Sequence, residues 1–325
     1  MRGWIQQAGG KVDLQLKDDL PMPEPLEGEV LIRNAFACIN PVDWKRVNAN
    51  PCAFPSVPGV DGAGVIVAVG ANVEGFRVGD RVNYHCNFRK ENGSFAQYSV
   101  AQVGGIGIVP TGVSLEAAAS TPCAQWTAYV GLFQKLSLAK GDTVLILGGA
   151  GGVGNFAVQM AARVGTTVIT TCSAASAAAA TQAGATYTID YRTENVVERI
   201  NALTHGKGVA KVFDTIGDKT TWDVLPAVQW RGTIATVLAV AIPDAAAFQQ
   251  KEITVSYIAL GRRLITDIGR RELAEIAVAC NAMLLDGRVK PVATVVPFEE
   301  VNQGMEQSAK GVAKGKIVIR IAGEL

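Results

Sequence analysis

Leu147-Gly-Gly-Ala-Gly-Gly-Val-Gly154 follows the apolar run Thr143-Val-Leu-Ile-Leu147 directly and leads into the amphipathic stretch Asn155-Phe-Ala-Val-Gln-Met-Ala-Ala162. Strand, glycine loop and helix in that order make a cradle for a pyrophosphate. Glycines let the backbone turn sharply and approach the phosphates, and the helix start offers free N–H groups and the positive end of its dipole. A glycine-rich loop by itself is equally a flexible turn; the flanking strand and helix favour the binding reading. Ala150, Gly151, Gly152, Val153 and Gly154 are therefore candidate dinucleotide-binding residues.

The same rhythm continues downstream. Thr166-Thr-Val-Ile-Thr170 reads as a strand, Ala174 to Ala183 as a helix, Tyr187-Thr-Ile189 as a strand, Glu194 to Leu203 as a helix and Val209-Ala-Lys-Val-Phe213 as a strand. Gly232 to Val237 and Ile253 to Tyr257 complete the series. Such alternation predicts an α/β domain, a Rossmann doubly wound parallel sheet with helices on both faces. An NAD site usually ends its second strand in Asp or Glu, which binds the adenosine ribose. Here the second strand ends in Cys172-Ser173. The missing acid, with Ser173 and Ser176 as hydroxyl donors at a new helix start, points to NADPH. Tyr191 and Arg192, just past the third strand, are placed to stack on adenine and to supply positive charge; Arg192 reads equally as a solvated arginine.

Upstream, residues 1–122 are short alternating apolar runs broken by Gly and Pro, among them Glu29-Val-Leu-Ile-Arg33, Gly64 to Gly70 and Val78-Gly-Asp-Arg-Val82. These predict a compact β-rich domain, with Gly59-Val-Asp-Gly-Ala-Gly64 suited to a tight corner. Beyond the Rossmann pattern stand a helix over Arg271 to Leu285 and a last strand over Lys316 to Arg320, a segment expected to pack back on the N-terminal domain.

The 325 residues suffice for two domains, and a formal net charge of +1 with interspersed signs excludes the basic footprint of a nucleic-acid or membrane-surface binder. No apolar run is long enough to span a bilayer, and the N-terminus reads as a strand in place of a signal peptide, which suggests a cytoplasmic protein. Six scattered cysteines with no Cys-x-x-Cys pair suggest reduced, buried thiols. Two histidines, His85 and His205, leave no Ser/His/Asp or Cys/His nucleophile to assemble.

Taken in order, Ile39-Asn-Pro-Val-Asp-Trp-Lys45, Pro58 to Gly64, Val78 to Val82, Gly93-Ser-Phe-Ala-Gln-Tyr98, Trp126-Thr-Ala-Tyr129, the Gly148–Gly154 loop, Ala183-Gly-Ala185 and Lys314-Gly-Lys-Ile-Val318 resemble one group over essentially the whole chain. The chain is similar to zinc-independent medium-chain dehydrogenase/reductases of the quinone oxidoreductase, or zeta-crystallin, type. The resemblance implies a GroES-like substrate domain over 1–124, with 262–325 returning to it, and a Rossmann cofactor domain over 125–261. It implies reduction of quinones or α,β-unsaturated carbonyl compounds by NADPH, and a homodimer or homotetramer. It also implies that Asn40, Thr127, Gly151, Gly152, Val153, Ser173, Tyr191, Leu238 and Lys316 line the cofactor. Members often carry a lysine for the 2′-phosphate where this chain has Ser176.

Zinc-dependent relatives would place ligands at Asn40, at Val60-Asp61 and at Cys123; only the last is a cysteine, and no zinc spacing is found. Without a metal, hydride addition to a conjugated acceptor remains accessible, because the charge moving to the carbonyl oxygen needs only hydrogen-bond donors. Asn40, Lys45 and Tyr84 are the catalytic candidates and Trp44 an aromatic wall. The bland alternatives are a turn at Asn40-Pro41, a solvated edge at Lys45-Arg46, and core packing for Trp44 and Tyr84. Two competing functions stay open: a zinc-type alcohol or aldehyde dehydrogenase, and a non-catalytic NADPH-binding protein.

Overall fold

The computed structural model describes all residues except 8–11, 50–54, 87–91, 218 and 239–243, so Cys52 and the residues after Leu238 in its loop lie outside the described residues. The chain divides into two compact units, one formed by residues 1–126 and 260–325, the other by 127–259.

In the second unit six strands pair in parallel throughout: Thr143–Leu147, Thr167–Cys172, Tyr187–Asp190, Val209–Asp214, Val228–Thr236 and Thr254–Tyr257. Numbered in chain order they lie 3-2-1-4-5-6, the doubly wound order that reverses beside the first strand. The first strand is central, and its Val144 to Leu147 are buried because helices cover both faces. Leu145, Ile169, Ile189, Ile200, Val212 and Ile234 share one cluster under the helices. The helices Gly152–Val164 and Ala174–Ala183 each stop at a left-handed glycine, Gly165 (φ 85°) and Gly184 (φ 113°), which a Cβ would disfavour.

The first unit carries a seven-stranded sheet. Its path runs through Ala293–Pro297, Lys316–Arg320, Glu29–Ile39, Asp61–Val69, Arg81–His85 and Ile106–Ile108, with Tyr98–Gln102 pairing to the upper part of Glu29–Ile39. Lys316–Arg320 pairs antiparallel with Phe36 to Ile39, so the C-terminal segment supplies a strand beside one of the earliest. The helix Asp267–Leu285 packs against the short strand Ile106–Ile108, and Asn281 and Asn83 exchange amide hydrogen bonds of 2.9 and 3.0 Å in a buried pair.

Two readings need revision. Val78 to Val82 is not one strand: Gly79 takes φ 94° and the Asp80 carboxylate accepts from Arg77 N at 2.9 Å, so a turn occupies the segment and pairing begins at Arg81. Nor is Gly59 to Gly64 a corner throughout. Gly59 turns (φ 100°), but Gly62 and Gly64 lie within the strand Asp61–Val69, where Tyr84 and the Arg33 carbonyl leave no room for a side chain. A Cβ on Gly64 would sit 2.0 Å from the Arg33 oxygen, a backbone atom that no rotamer change can move. Gly64→Ala is expected to lose about 3 kcal/mol, read as a lower urea midpoint at unchanged m-value.

Candidate functional site

The glycine loop lies at the C-terminal end of the first parallel strand, where doubly wound sheets bind ligands. Gly148 adopts φ 79° and its N–H donates to Thr171 Oγ1 at 3.1 Å; Gly149 N donates to Thr171 O at 3.1 Å. The loop is thus anchored to the second strand. Gly149 packs on Thr170 and Gly154 on the Gly148 carbonyl, so closely that a Cβ at either would lie about 2 Å from an oxygen. Gly151 precedes the helix, is exposed, and caps it with no side chain, which leaves the first-turn N–H groups for an anion. A pyrophosphate fits that cradle.

The adjacent strand ends bring the adenosine-side candidates together. Ser173 sits at the N-cap of Ala174–Ala183 with its Oγ 3.3 Å from Ser176 Oγ. Asp190 pairs with Cys172 across the sheet, and Tyr191 and Arg192 follow it, both exposed, with the guanidinium 5.7 Å from the Tyr191 ring centroid. Leu238 follows the fifth strand and packs on Gly217. Thr127 is buried on the helix Pro122–Tyr129, just before a π-helical turn at Val130–Lys135.

In the first unit the sheet register creates a second polar centre. Val318 pairs with Cys38, Cys38 with Asp61, and Asp61 with His85, so one row crosses four strands. Asn40 stands where Glu29–Ile39 hands over to the helix Pro41–Ala49. Pro41 tolerates that first helical position, and Asp43 Oδ2 accepts from Asn40 N at 2.7 Å, half of a capping box. The other Asp43 oxygen accepts from Val60 N at 3.0 Å, fixing the strand entry.

The cluster is almost fully buried: Asp61 is 0% exposed, Asn40 1%, His85 4% and Lys316 5%. The Lys316 ammonium donates to Asn40 Oδ1 and to Ile39 O at 3.2 Å. Asn40 Nδ2 donates to Asp61 Oδ2 at 2.8 Å, Cys123 N donates to the same oxygen at 2.9 Å, and His85 Nδ1 lies 2.8 Å from Asp61 Oδ1. Burial works against the charge on Lys316, but Cys38, Asp61, Cys123 and Asp43 around it more than offset that and hold it above the ordinary lysine value. Burial pushes the Cys38 thiol up to about 12 and Cys123 well above the usual thiol range.

The comparisons agree with this two-part architecture. The family described as alcohol dehydrogenase GroES-like domain matches residues 26–128, and that described as zinc-binding dehydrogenase matches 152–278. A 2-methylene-furan-3-one reductase of Solanum lycopersicum is 30% identical over 98% of this chain and 79% of its own length. A quinone oxidoreductase of Pseudomonas aeruginosa is 37% identical over 70% of each chain. The crystal structure of Escherichia coli quinone oxidoreductase complexed with NADPH superposes with a TM-score of 0.88 at 26% identity, covering 99% of this chain and 100% of that one. The chain belongs to the medium-chain dehydrogenase/reductase family, of quinone oxidoreductase type.

Within this medium-chain dehydrogenase/reductase, Asp61, His85 and Cys123 offer one donor atom each within 4.8 Å of one another. Their chemistry does not fit zinc. The Asp61 oxygens are engaged by Asn40, Cys123 N and His85, and the Lys316 ammonium already supplies positive charge one hydrogen bond beyond Asn40.

Two catalytic candidates are relocated. Lys45 is exposed on the helix, its ammonium 5.5 Å from the Trp44 ring centroid, and takes no part in the cluster. Tyr84 is fully buried in the β core and its hydroxyl donates to Asn34 Oδ1 at 2.6 Å, so packing and that bond account for it. Trp44 is half-buried against the core of the first unit. Sequence alone marks Asp43 by the capping spacing Asn40-x-x-Asp43 and Asp61 by its place at the relatives' ligand pair, and gives His85 no role.

Burial raises Asp43 from the ordinary 3.8 to about 7, against the Asn40 N–H and with the Asp61 charge adding. A raised carboxyl holds its proton more tightly in the folded state, so its stabilising contribution is complete below 3.8 and is lost as pH climbs to about 7. Urea unfolding across that window should show wild type losing stability with rising pH, and Asp43→Asn should lack that component of the slope.

Proposed function

We propose that the protein is an NADPH-dependent reductase of quinones and α,β-unsaturated carbonyl compounds, acting without a metal ion. The observation that carries this reading is an uncapped helix start behind a glycine loop, at the end of a parallel sheet whose second strand finishes in Cys172-Ser173 without an acid. The quinone oxidoreductase and enone reductase relatives support the substrate class, and the NADPH complex of the Escherichia coli enzyme supports the cofactor.

NADPH supplies the hydride when bound. The amides of Ala150 to Gly154 would hold its pyrophosphate, Ser173, Ser176 and Arg192 its 2′-phosphate, and Tyr191 its adenine, with Thr127 and Leu238 along the remainder. Arg192 is the cation on a turn that also carries Asp190 and Glu194, so it offsets their charge as well. The Asn40–Lys316 pair is the first unit's candidate for the chemistry. A buried ammonium locked onto Asn40 and held above the ordinary lysine value would raise the local potential and stabilise negative charge developing on a carbonyl oxygen. Strand Thr254–Tyr257, outermost in its sheet, supports pairing of copies into a dimer or tetramer, and the free state of the described cysteines supports a cytoplasmic setting.

Oxidation of NADPH and NADH should be followed with 1,4-quinones and α,β-unsaturated ketones, with and without a chelator. Turnover with NADPH that survives chelation is expected; affinity without turnover would favour the non-catalytic binder, and loss on chelation the zinc-type dehydrogenase. Gly152→Asp should abolish cofactor binding by setting a charge against the pyrophosphate. Arg192→Ala should weaken NADPH by about tenfold while leaving NADH nearly unchanged, as removal of one charge-assisted contact requires; equal effects on both cofactors would remove Arg192 from the phosphate site.

A further inference from the structure

Asp214 is a fully buried carboxylate that takes no part in the cofactor contacts above. It ends the fourth strand of the parallel sheet, opposite Leu147 on one side and Thr236 on the other, so one row joins the carboxyl ends of the first, fourth and fifth strands. Its Oδ1 accepts from Ile216 N at 2.9 Å and Gly217 N at 3.0 Å, a turn that fixes the loop after the fourth strand. Its Oδ2 accepts from Thr221 Oγ1 and lies 3.5 Å from Thr236 Oγ1, and the Thr236 hydroxyl accepts from Leu238 N at 3.3 Å. One carboxylate thus sets two loops, the one that carries Ile216 and the one that carries Leu238.

Those loops close on the glycine loop and on each other. Thr215 Oγ1 donates to Leu147 O at 2.7 Å. A Cβ on Gly148 would lie 2.5 Å from Ile216 Cδ1, and one on Gly217 would lie 2.6 Å from Leu238 Cδ1. Ile216 is nonetheless 49% exposed, an apolar side chain held open at the carboxyl end of the sheet. Desolvating a carboxylate costs several kcal/mol, and the loop it fixes presents apolar surface where a doubly wound sheet takes its ligand. Such a sheet has two mononucleotide-binding halves about the point where its strand order reverses. The adenosine-side candidates Ser173, Tyr191 and Arg192 follow the second and third strands. The fourth and fifth strands belong to the other half, so their loops fall to the nicotinamide mononucleotide.

We propose that Asp214 is the positioning residue for the nicotinamide half of the cofactor, holding the loop 215–217 and Leu238 as one apolar shelf beside Gly148; this rests on the NADPH reading above. Asp214 is buried and acts through its partners, the Ile216 and Gly217 N–H groups and the Thr221 and Thr236 hydroxyls. Replacing the carboxylate by an amide weakens the first two bonds, because an ionised oxygen is the stronger acceptor. It also sets an NH2 donor against the Thr221 hydroxyl, which must turn to accept. The two loops then lose their preset shape, and a ligand that rests on them has to order them on binding. A ligand that ends at the diphosphate rests on the glycine loop and the adenosine side alone.

The test compares binding of NADPH and of 2′-phosphoadenosine 5′-diphosphate, which lacks the nicotinamide nucleoside, to the full-length protein by titration calorimetry. Asp214→Asn keeps the shape of the side chain. Thr236→Val, which removes the hydroxyl that accepts from Leu238 N, serves should the first variant fail to fold, with Thr236→Ser as its conservative control. The expected result is NADPH binding weakened about tenfold, as loss of one buried hydrogen bond to a charged group requires. The diphosphate fragment should stay within about twofold of wild type, and Thr236→Ser should match wild type for both ligands. NADPH affinity unchanged in the folded variants, or an equal loss for both ligands, overturns the proposal. Wild-type protein that binds neither ligand overturns the NADPH reading and this proposal with it, whereas wild type and variants that bind both ligands alike overturn the proposal alone.

Discussion

The Asp61 carboxylate has no contact with solvent, and an uncompensated ion in such a place costs several kcal/mol. It is tolerated because donors from three separate segments converge on it: the Asn40 side chain, the Cys123 backbone and the His85 ring. The Lys316 ammonium, from a fourth segment, completes the compensation through Asn40. These groups are neighbours only in one register, with Cys38 opposite Asp61 and Asp61 opposite His85. Slipping either pair by one residue would turn a charged side chain to the wrong face. Charge neutrality and strand register are therefore a single constraint.

The candidate sites of the two units are built by different means. The glycine loop is a cradle of backbone, and its sequence requirement is mostly for what must be absent: side chains at Gly149 and Gly154, an acid after Cys172. In the first unit the polar centre is made of side chains, each fixed by a second one. Asp43 secures Asn40 and Val60 through their backbone N–H groups, and Asn40 joins Lys316 to Asp61. Such a network is rigid and specific only while every member is satisfied.

This contrast explains how much was legible in the chain alone. The glycine loop, the alternating strands and helices and the acid-free second strand are local patterns, each readable within its own short stretch of chain. The Val78 to Val82 error came from apolar alternation that ignored the left-handed demand of Gly79. The polar centre was harder to read because its members are separated by up to 276 residues and meet only through non-local pairing. Residue type alone singled out Lys45 and Tyr84, whose environments are a helix surface and a β core. Asp61 stood in plain view as the successor to a ligand pair, but nothing nearby announced the histidine that would bind it.

The antiparallel pairing of Lys316–Arg320 with Phe36 to Ile39 bears on how the protein emerges from a ribosome. Chains are made from the N-terminus, and domains tend to fold as they appear. Asp61 and Asn40 are synthesised early, but their cationic partner is not available until residue 316 has been translated and has cleared the exit tunnel. The first unit begun is thus the last finished, and the nascent β sheet must wait with an exposed strand edge and an unneutralised carboxylate while the self-contained parallel sheet assembles behind it.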